Sequence, residues 1–259
     1  MPVAHTPWSP GTPCWVDLMT RHQQAALDFY RPLFGWSGDP GEGGYAVLER
    51  NGGAVAGIGS AQAEEGRPEP PHVWTTYLAS DDARGTARRI TGAGGTVVVE
   101  PREIGTVGTM LLAADPTGAV FGVWQGGDFP GAGVVNEPGA VIWNDCATRD
   151  VATAAEFYEA VFGLEARPVP DGGGFGLHPA GAERPVGGLR DMAASDYPEN
   201  VPPHWLTCFA VSDTPATVEA ASRTGGPVLA PPTPTPYGVL AVLSDPWGAT
   251  FAVMQVAEE

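Results

Sequence analysis

Lysine is missing from the chain: all 13 basic side chains among its 259 residues are arginine. That absence removes the chemistries anchored on an ε-amino group, namely Schiff bases, lysine-bound pyridoxal phosphate and the lysine of a P-loop. Positive charge is scarce too, 13 basic against 30 acidic residues, for a formal net charge of −17. So anionic a surface repels phosphate backbones and acidic lipid, so neither nucleic acid nor a membrane is an expected partner. No apolar run reaches the roughly 18 residues of a membrane span. Residues 1–13 hold neither the basic nor the apolar stretch of a secretory leader. Cysteine is limited to Cys14, Cys146 and Cys208, an odd number at no metal-like spacing. Reduced thiols in a cytoplasmic protein are expected. No Gly-x-Ser-x-Gly elbow is present, and the glycine run at Asp171–Gly174 reads as hairpin chemistry because no phosphate-loop motif follows a strand.

What is abundant is turn-forming and apolar residues: 36 Gly, 27 Pro and 43% hydrophobic content. This supports one large domain or two of ordinary size. An internal repeat decides between them. Trp15-Val-Asp17-Leu-Met-Thr20-Arg21 recurs as Trp143-Asn-Asp145-Cys-Ala-Thr148-Arg149, 128 positions on. Ala26, Phe29, Tyr30, Phe34 and Gly35 return as Ala154, Phe157, Tyr158, Phe162 and Gly163. Trp74 answers Trp205, and Gly94-Gly95 answers Gly225-Gly226. Asp115-Pro-Thr-Gly-Ala answers Asp245-Pro-Trp-Gly-Ala. A period this long is a duplicated domain rather than a solenoid.

Each copy divides again. Residues 14–20 alternate as a strand, and 22–34 place Ala25, Ala26, Phe29, Tyr30, Leu33 and Phe34 on one face of a helix. Short strands are expected over 45–49 and 54–59. The order then recurs with a strand at 74–79, a helix over 82–91 and strands near 96–100, 109–113 and 120–125. Asp82 and Asp213 stand where helix N-caps belong. The expectation is an α+β chain of four βαβββ modules, about 12–62, 72–126, 140–191 and 203–257. They form a first domain at 1–127 and a second at 140–259, joined by a Gly-rich linker at 128–139.

These residues resemble the vicinal oxygen chelate superfamily, which includes glyoxalase I, bleomycin-resistance proteins and extradiol dioxygenases. The resemblance rests on the strand–Thr-Arg-Asp–helix unit ending Phe157-Tyr158…Phe162-Gly163, the strand–Asp–helix–Gly-Gly unit, and the closing Asp-Pro-x-Gly-Ala strand. It implies two cup-shaped, glyoxalase-like domains with the ligand or metal on the concave sheet face. At the family's metal positions this chain carries Trp15, Thr75, Gly57 and Gly122 in one copy, and Trp143, Leu206, Gly188 and Ala252 in the other. Divalent cations need imidazole, carboxylate or thiolate donors, so no metal and no cofactor are expected.

Strand alternation adds Asp17 and Met19 to the face of Trp15, and Asp145 to that of Trp143. Tyr77 joins Thr75, Trp124 joins Gly122, His204 and Cys208 join Leu206, and Met254 joins Ala252. These are the expected ligand-binding residues, and the small Gly57, Gly122, Gly188 and Ala252 are expected to leave room for a flat ligand. Asp17 and Asp145 are the candidate catalytic carboxylates, although either could instead bind an arginine or amide at a strand edge. The resemblance implies a monomer that binds a hydrophobic or aromatic small molecule, in secondary metabolism or in drug sequestration. The alternatives are a metal-independent tailoring enzyme (hydroxylase, isomerase or cyclase type) or a glyoxalase-type lyase.

Overall fold

The computed structural model describes residues 8–61, 71–169, 173–194 and 197–257. The start of the N-terminal stretch and part of the glycine run at Asp171 lie outside them. In chain order the elements are β1 (Pro13–Thr20), α1 (Gln23–Phe34), β2 (Tyr45–Arg50) and β3 (Gly53–Ser60), then β4 (Trp74–Ala79), α2 (Ala83–Gly92), β5 (Thr96–Ile104), β6 (Gly108–Ala114) and β7 (Val120–Gly126). The second copy gives β8 (Val141–Thr148), α3 (Val151–Phe162), β9 (Leu164–Pro168), β10 (Phe175–Pro179) and β11 (Gly187–Asp191). It closes with β12 (His204–Ala210), α4 (Thr214–Arg223), β13 (Val228–Thr235), β14 (Gly238–Ser244) and β15 (Thr250–Val256). Three modules are βαβββ. The first is βαββ, because the strand expected before β2 shrinks to a single bridge, Ser37 with Glu49. Gly38, Pro40, Gly41, Gly43 and Gly44 fill that stretch, and glycine and proline weaken a ladder.

Local chemistry sets the helix ends. The carboxylates of Asp82, Asp150 and Asp213 accept the N–H groups of Gly85, Thr153 and Ala216, capping α2, α3 and α4. The Phe-Gly pairs end α1 and α3, with Gly35 and Gly163 at φ 68° and 69°, a left-handed conformation that a side chain opposes.

The strands form a seven-stranded sheet ordered β2-β3-β1-β4-β7-β6-β5 and an eight-stranded sheet ordered β13-β14-β15-β12-β8-β11-β10-β9. Within every module the first strand runs parallel to the last. Asp17 stands beside Gly57, Tyr77 beside Gly122, Asp145 beside Gly188 and Cys208 beside Ala252.

The compact units cut across the repeats. Among the described residues, the first–fourth unit comprises 16–61, 71–74, 132–142 and 207–257, and the second–third unit comprises 8–15, 75–131, 143–169, 173–194 and 197–206. In the first–fourth unit, α1 and α4 share a core in which Phe34 meets Phe209 (ring centroids 4.8 Å apart) and Tyr30 meets Phe251 (5.4 Å). In the second–third unit, Phe121 packs on Phe157 (6.0 Å) and Tyr158 (5.9 Å) beside Leu78, Ile90, Leu111 and Val123. The Gly-rich segment between the repeats is divided between the units: 128–131 bond into the second–third unit, and 132–139 belong to the first–fourth unit. Trp36 Nε1 donates to the Gly139 carbonyl (2.5 Å), Gly139 N–H to Ala210 O (2.7 Å), and Ala210 N–H to Ala140 O (2.9 Å).

The three repeated signatures meet inside each unit. In the first–fourth unit, Trp74 Nε1 donates to Tyr30 Oη (3.0 Å), and Tyr30 donates to Asp245 Oδ2 (3.1 Å). In the second–third unit, Trp205 donates to Tyr158 (2.8 Å) and Tyr158 to Asp115 (3.0 Å). The aspartates also close their own turns: Asp245 Oδ1 accepts from Trp247 N–H and Ala249 N–H, and Asp115 Oδ1 from Thr117 N–H and Ala119 N–H. Gly226 and Gly95 let the chain pass Phe29 and Phe157, whose rings a Cβ there would strike. Thus the Phe-Tyr step of one copy is read by the Gly-Gly and Asp-Pro-x-Gly-Ala steps of the other.

Candidate functional site

Alternation along β8 turns Cys146 into the core under α3 and leaves Trp143 and Asp145 on the opposite face. There the three-residue cluster lies wholly within the second–third unit. Trp143 Nε1 donates to Asp145 Oδ1 at 2.7 Å, and Arg190 Nη2, on β11, donates to Asp145 Oδ2 at 2.8 Å. The Asp145 side chain keeps 15% of its surface exposed and that of Arg190 keeps 36%, so the pair is sheltered but reachable. Tyr197 lies within their field. Burial raises its phenol above the ordinary value, Arg190 works against that shift, and Asp145 reinforces it. His204 sits edge-on to the Tyr197 ring (5.8 Å) and places Nδ1 2.9 Å from the Pro202 carbonyl. Leu206 follows on β12, buried.

The other residues singled out from the first copy divide between the units. In the second–third unit, Trp15 is buried and packs edge-on against Phe129 (4.8 Å). Trp124 is buried as well, with Nε1 donating to the Phe129 carbonyl (2.9 Å), while Thr75 is half-buried. Tyr77 lies across Gly122, so that a Cβ there would fall inside its ring. In the first–fourth unit, Asp17 is buried and accepts from Tyr45 Oη (3.1 Å), and the Tyr45 hydroxyl lies over Gly57. Met19 covers Gly59 in the same way. Cys208 and Ala252 are buried side by side, with Met254 half-buried. The small residues expected to leave room for a ligand are therefore covered at Gly57, Gly122 and Gly188 by the chain's own Tyr45, Tyr77 and Asp145.

Sequence reasoning did not single out Arg190, Tyr197, Tyr45 or Phe129. Arg190 was within reach of the parity argument, since it stands two residues beyond Gly188 on the same strand, but its counterpart in the first copy is Gly59. His178 is buried and close to the Ala182 carbonyl through Nδ1 (3.4 Å), a local contact. Among the described residues, no group of three or more His, Cys, Asp or Glu side chains is placed to hold a metal ion. Nor is any helix among them long and apolar enough to cross a membrane.

All three cysteines are buried and outside any disulfide. Burial pushes Cys14 up to about 12, against a lowering backbone hydrogen bond, and raises Cys146 strongly, with Asp115 adding to the shift. The thiolate is the reactive form, so the native protein is expected to resist Ellman's reagent at pH 8 and to react fully in denaturant. Any thiol of the folded protein reacting as fast as free cysteine would contradict this placement.

The repeated modules and the two sheets define a tandem glyoxalase-like protein, and the chain belongs to the Glyoxalase/Bleomycin resistance protein/Dioxygenase superfamily, whose model matches residues 14–123 and 143–253. It is similar to the Mycobacterium tuberculosis protein called "Putative glyoxylase CFP32", at 42% identity over 96% of this chain and 96% of that one. It is also similar to the anthracycline biosynthesis protein DnrV of Streptomyces peucetius, at 37% identity over 98% of this chain and 96% of the relative. Among solved structures, the Mn(II)-bound glyoxalase from Novosphingobium aromaticivorans shares the fold with a TM-score of 0.65 at 14% identity, covering 97% of this chain and 84% of that one.

Proposed function

We propose that the chain binds a planar, largely apolar aromatic small molecule of secondary metabolism, with no metal at the family's ligand positions. The observation that carries this reading is the Trp143–Asp145–Arg190 cluster: where a cation would need donors, an indole face stands beside a hydrogen-bonded ion pair. Trp143, Leu206, Gly188 and Ala252 offer no imidazole, carboxylate or thiolate, and neither do Trp15, Thr75, Gly57 and Gly122. A flat ring stacked on indole, with a few polar contacts at its rim, suits such a surface. The near full-length likeness to an anthracycline biosynthesis protein supports a polycyclic aromatic ligand. A cytoplasmic monomer is the accompanying expectation.

Binding is favoured over proton abstraction by Asp145. Both oxygens of its carboxylate already accept a hydrogen bond, one from Trp143 Nε1 and one from Arg190 Nη2. The tailoring-enzyme reading draws on the name of the same relative, and the two readings part in experiment. Titration with 9,10-anthraquinone should quench tryptophan fluorescence, and Trp143→Ala should weaken binding by about 2 kcal/mol, the usual scale for a truncated aromatic anchor. Asp145→Asn and Asp17→Asn should alter affinity modestly and leave the recovered compound unchanged by mass spectrometry. A general base would instead show itself in turnover falling roughly 100-fold with affinity kept. Absence of quenching by any planar aromatic quinone would overturn the binding reading.

A further inference from the structure

We propose that Phe129 is the resident occupant of the first copy's aromatic site, so that the chain takes an external aromatic ring at Trp143 and binds one ligand, not two. The Trp143 half rests on the small-molecule reading above, and the occupied half on contacts within the second–third unit. Trp15 and Trp143 are equivalent residues of β1 and β8, 128 positions apart. Their indoles differ in access: Trp15 is only 6% exposed, whereas Trp143 is half-buried. The ring of Phe129 meets Trp15 edge-on, with centroids 4.8 Å apart and planes at 87°. It also meets Trp124 edge-on, at 6.2 Å and 70°. At such separations aromatic rings attract, and an incoming ring would make the same contacts. Phe129 fills from within the place a ligand ring would take.

The turn that carries Phe129 is built to hold it there. The N–H groups of Gly127 and Phe129 both donate to the Val107 carbonyl (2.9 and 3.2 Å), and Asp128 N–H donates to Thr106 O (2.9 Å). Trp124 Nε1 donates to the Phe129 carbonyl (2.9 Å), so one indole holds both the ring and the backbone of this residue. Gly131 closes the turn at φ 124°, where a Cβ would strike the Cys14 carbonyl; glycine suits both the dihedral and the close approach. In the second copy these fastenings change. At the offset that joins Asp115 to Asp245, Trp124 becomes Met254 and Phe129 becomes Glu259, which has no ring. Trp143 Nε1 instead bonds Asp145 Oδ1 on its own strand.

Equilibrium dialysis against 9,10-anthraquinone counts the sites. Wild type should bind one molecule per chain, and Trp143→Ala should weaken that binding about 30-fold, as expected for a truncated aromatic anchor. Two molecules per chain at comparable affinity would overturn the proposal. The occupied site is tested separately, in the Trp143→Ala background, with 4-fluorotoluene, which has the shape of a phenylalanine side chain and is followed by its fluorine NMR shift. Phe129→Ala should tighten its binding about tenfold or more over that background, because truncation opens a ring-sized apolar space beside Trp15. Phe129→Leu keeps most of the cover and should gain about threefold or less. Adding Trp15→Ala to Phe129→Ala should cancel the gain, and a cooperative thermal transition in each variant confirms that the fold is kept. No gain in a cooperatively folded Phe129→Ala variant would overturn Phe129 as the occupant. A gain there, with no anthraquinone bound by wild type, would uphold the occupied site and overturn the small-molecule reading at Trp143.

Discussion

Asp245→Ala is expected to destabilise the protein by about 4 kcal/mol, within the range for removing one partner from a buried charged network. Asp245 has no exposed surface, and it answers the Trp247 and Ala249 N–H groups, the Tyr30 hydroxyl and His72 Nε2 (2.8 Å). Alanine leaves all of these in the core of the first–fourth unit without their acceptor. Tyr30→Phe removes two bonds, the one it accepts from Trp74 and the one it donates to Asp245, and keeps the ring against Phe34 and Phe251, so a loss of about 2 kcal/mol is expected there. Asp115→Ala should resemble Asp245→Ala, because Asp115 closes the same turn and accepts from Tyr158. Urea midpoints at constant m-value measure all three, and an Asp245→Ala midpoint equal to that of Tyr30→Phe would contradict the assignment.

The same network carries a pH dependence. Burial raises the Tyr30 phenol well above the ordinary 10.0, and the Asp245 charge adds to the shift. Tyr158 is raised by burial, then by Cys146 and Asp115. The folded state therefore holds these protons more tightly than the unfolded chain does. Their contribution is complete below the unfolded value and is lost as pH rises through the folded ones, so alkaline unfolding should set in above about pH 10.

Separating the repeats should have a still larger effect. Expressed alone, residues 1–127 or 128–259 would each carry half of both cores. Phe34 and Tyr30 would lack Phe209 and Phe251, and Phe121 would lack Phe157 and Tyr158. Burying one such aromatic side chain contributes roughly 2–3 kcal/mol, so losing several exceeds the roughly 5–15 kcal/mol that holds a typical domain together. Each half is expected to be insoluble or self-associated alone, and the two should recover a single complex when co-expressed. Size-exclusion chromatography with light scattering reads the outcome. A monomeric half with its own cooperative unfolding transition would refute the cross-repeat cores.

Local elements were legible in the sequence because their causes are local. Asp82 and Asp213 cap where a short polar side chain precedes an apolar period, and Trp15, Asp17 and Met19 alternate as strand residues must. The missing strand of the first module follows from residues 38–44, where glycine and proline could have been weighed against the repeat. How the cores combine the copies was not legible, since Tyr30 and Asp245 lie 215 positions apart and neither names the other. The glycines facing the first strands misdirect for a related reason: in a strand, glycine marks any close approach, and here the approaching groups are Tyr45, Tyr77 and Asp145. Arg190 escaped because attention to what the copies share passes over what they do not.

The most direct test of the functional account is a structure of the protein with 9,10-anthraquinone bound. The account predicts the ring against Trp143, beside the Asp145–Arg190 pair. A ligand seated away from β8 and β11, with Trp143 and Arg190 untouched, would contradict it.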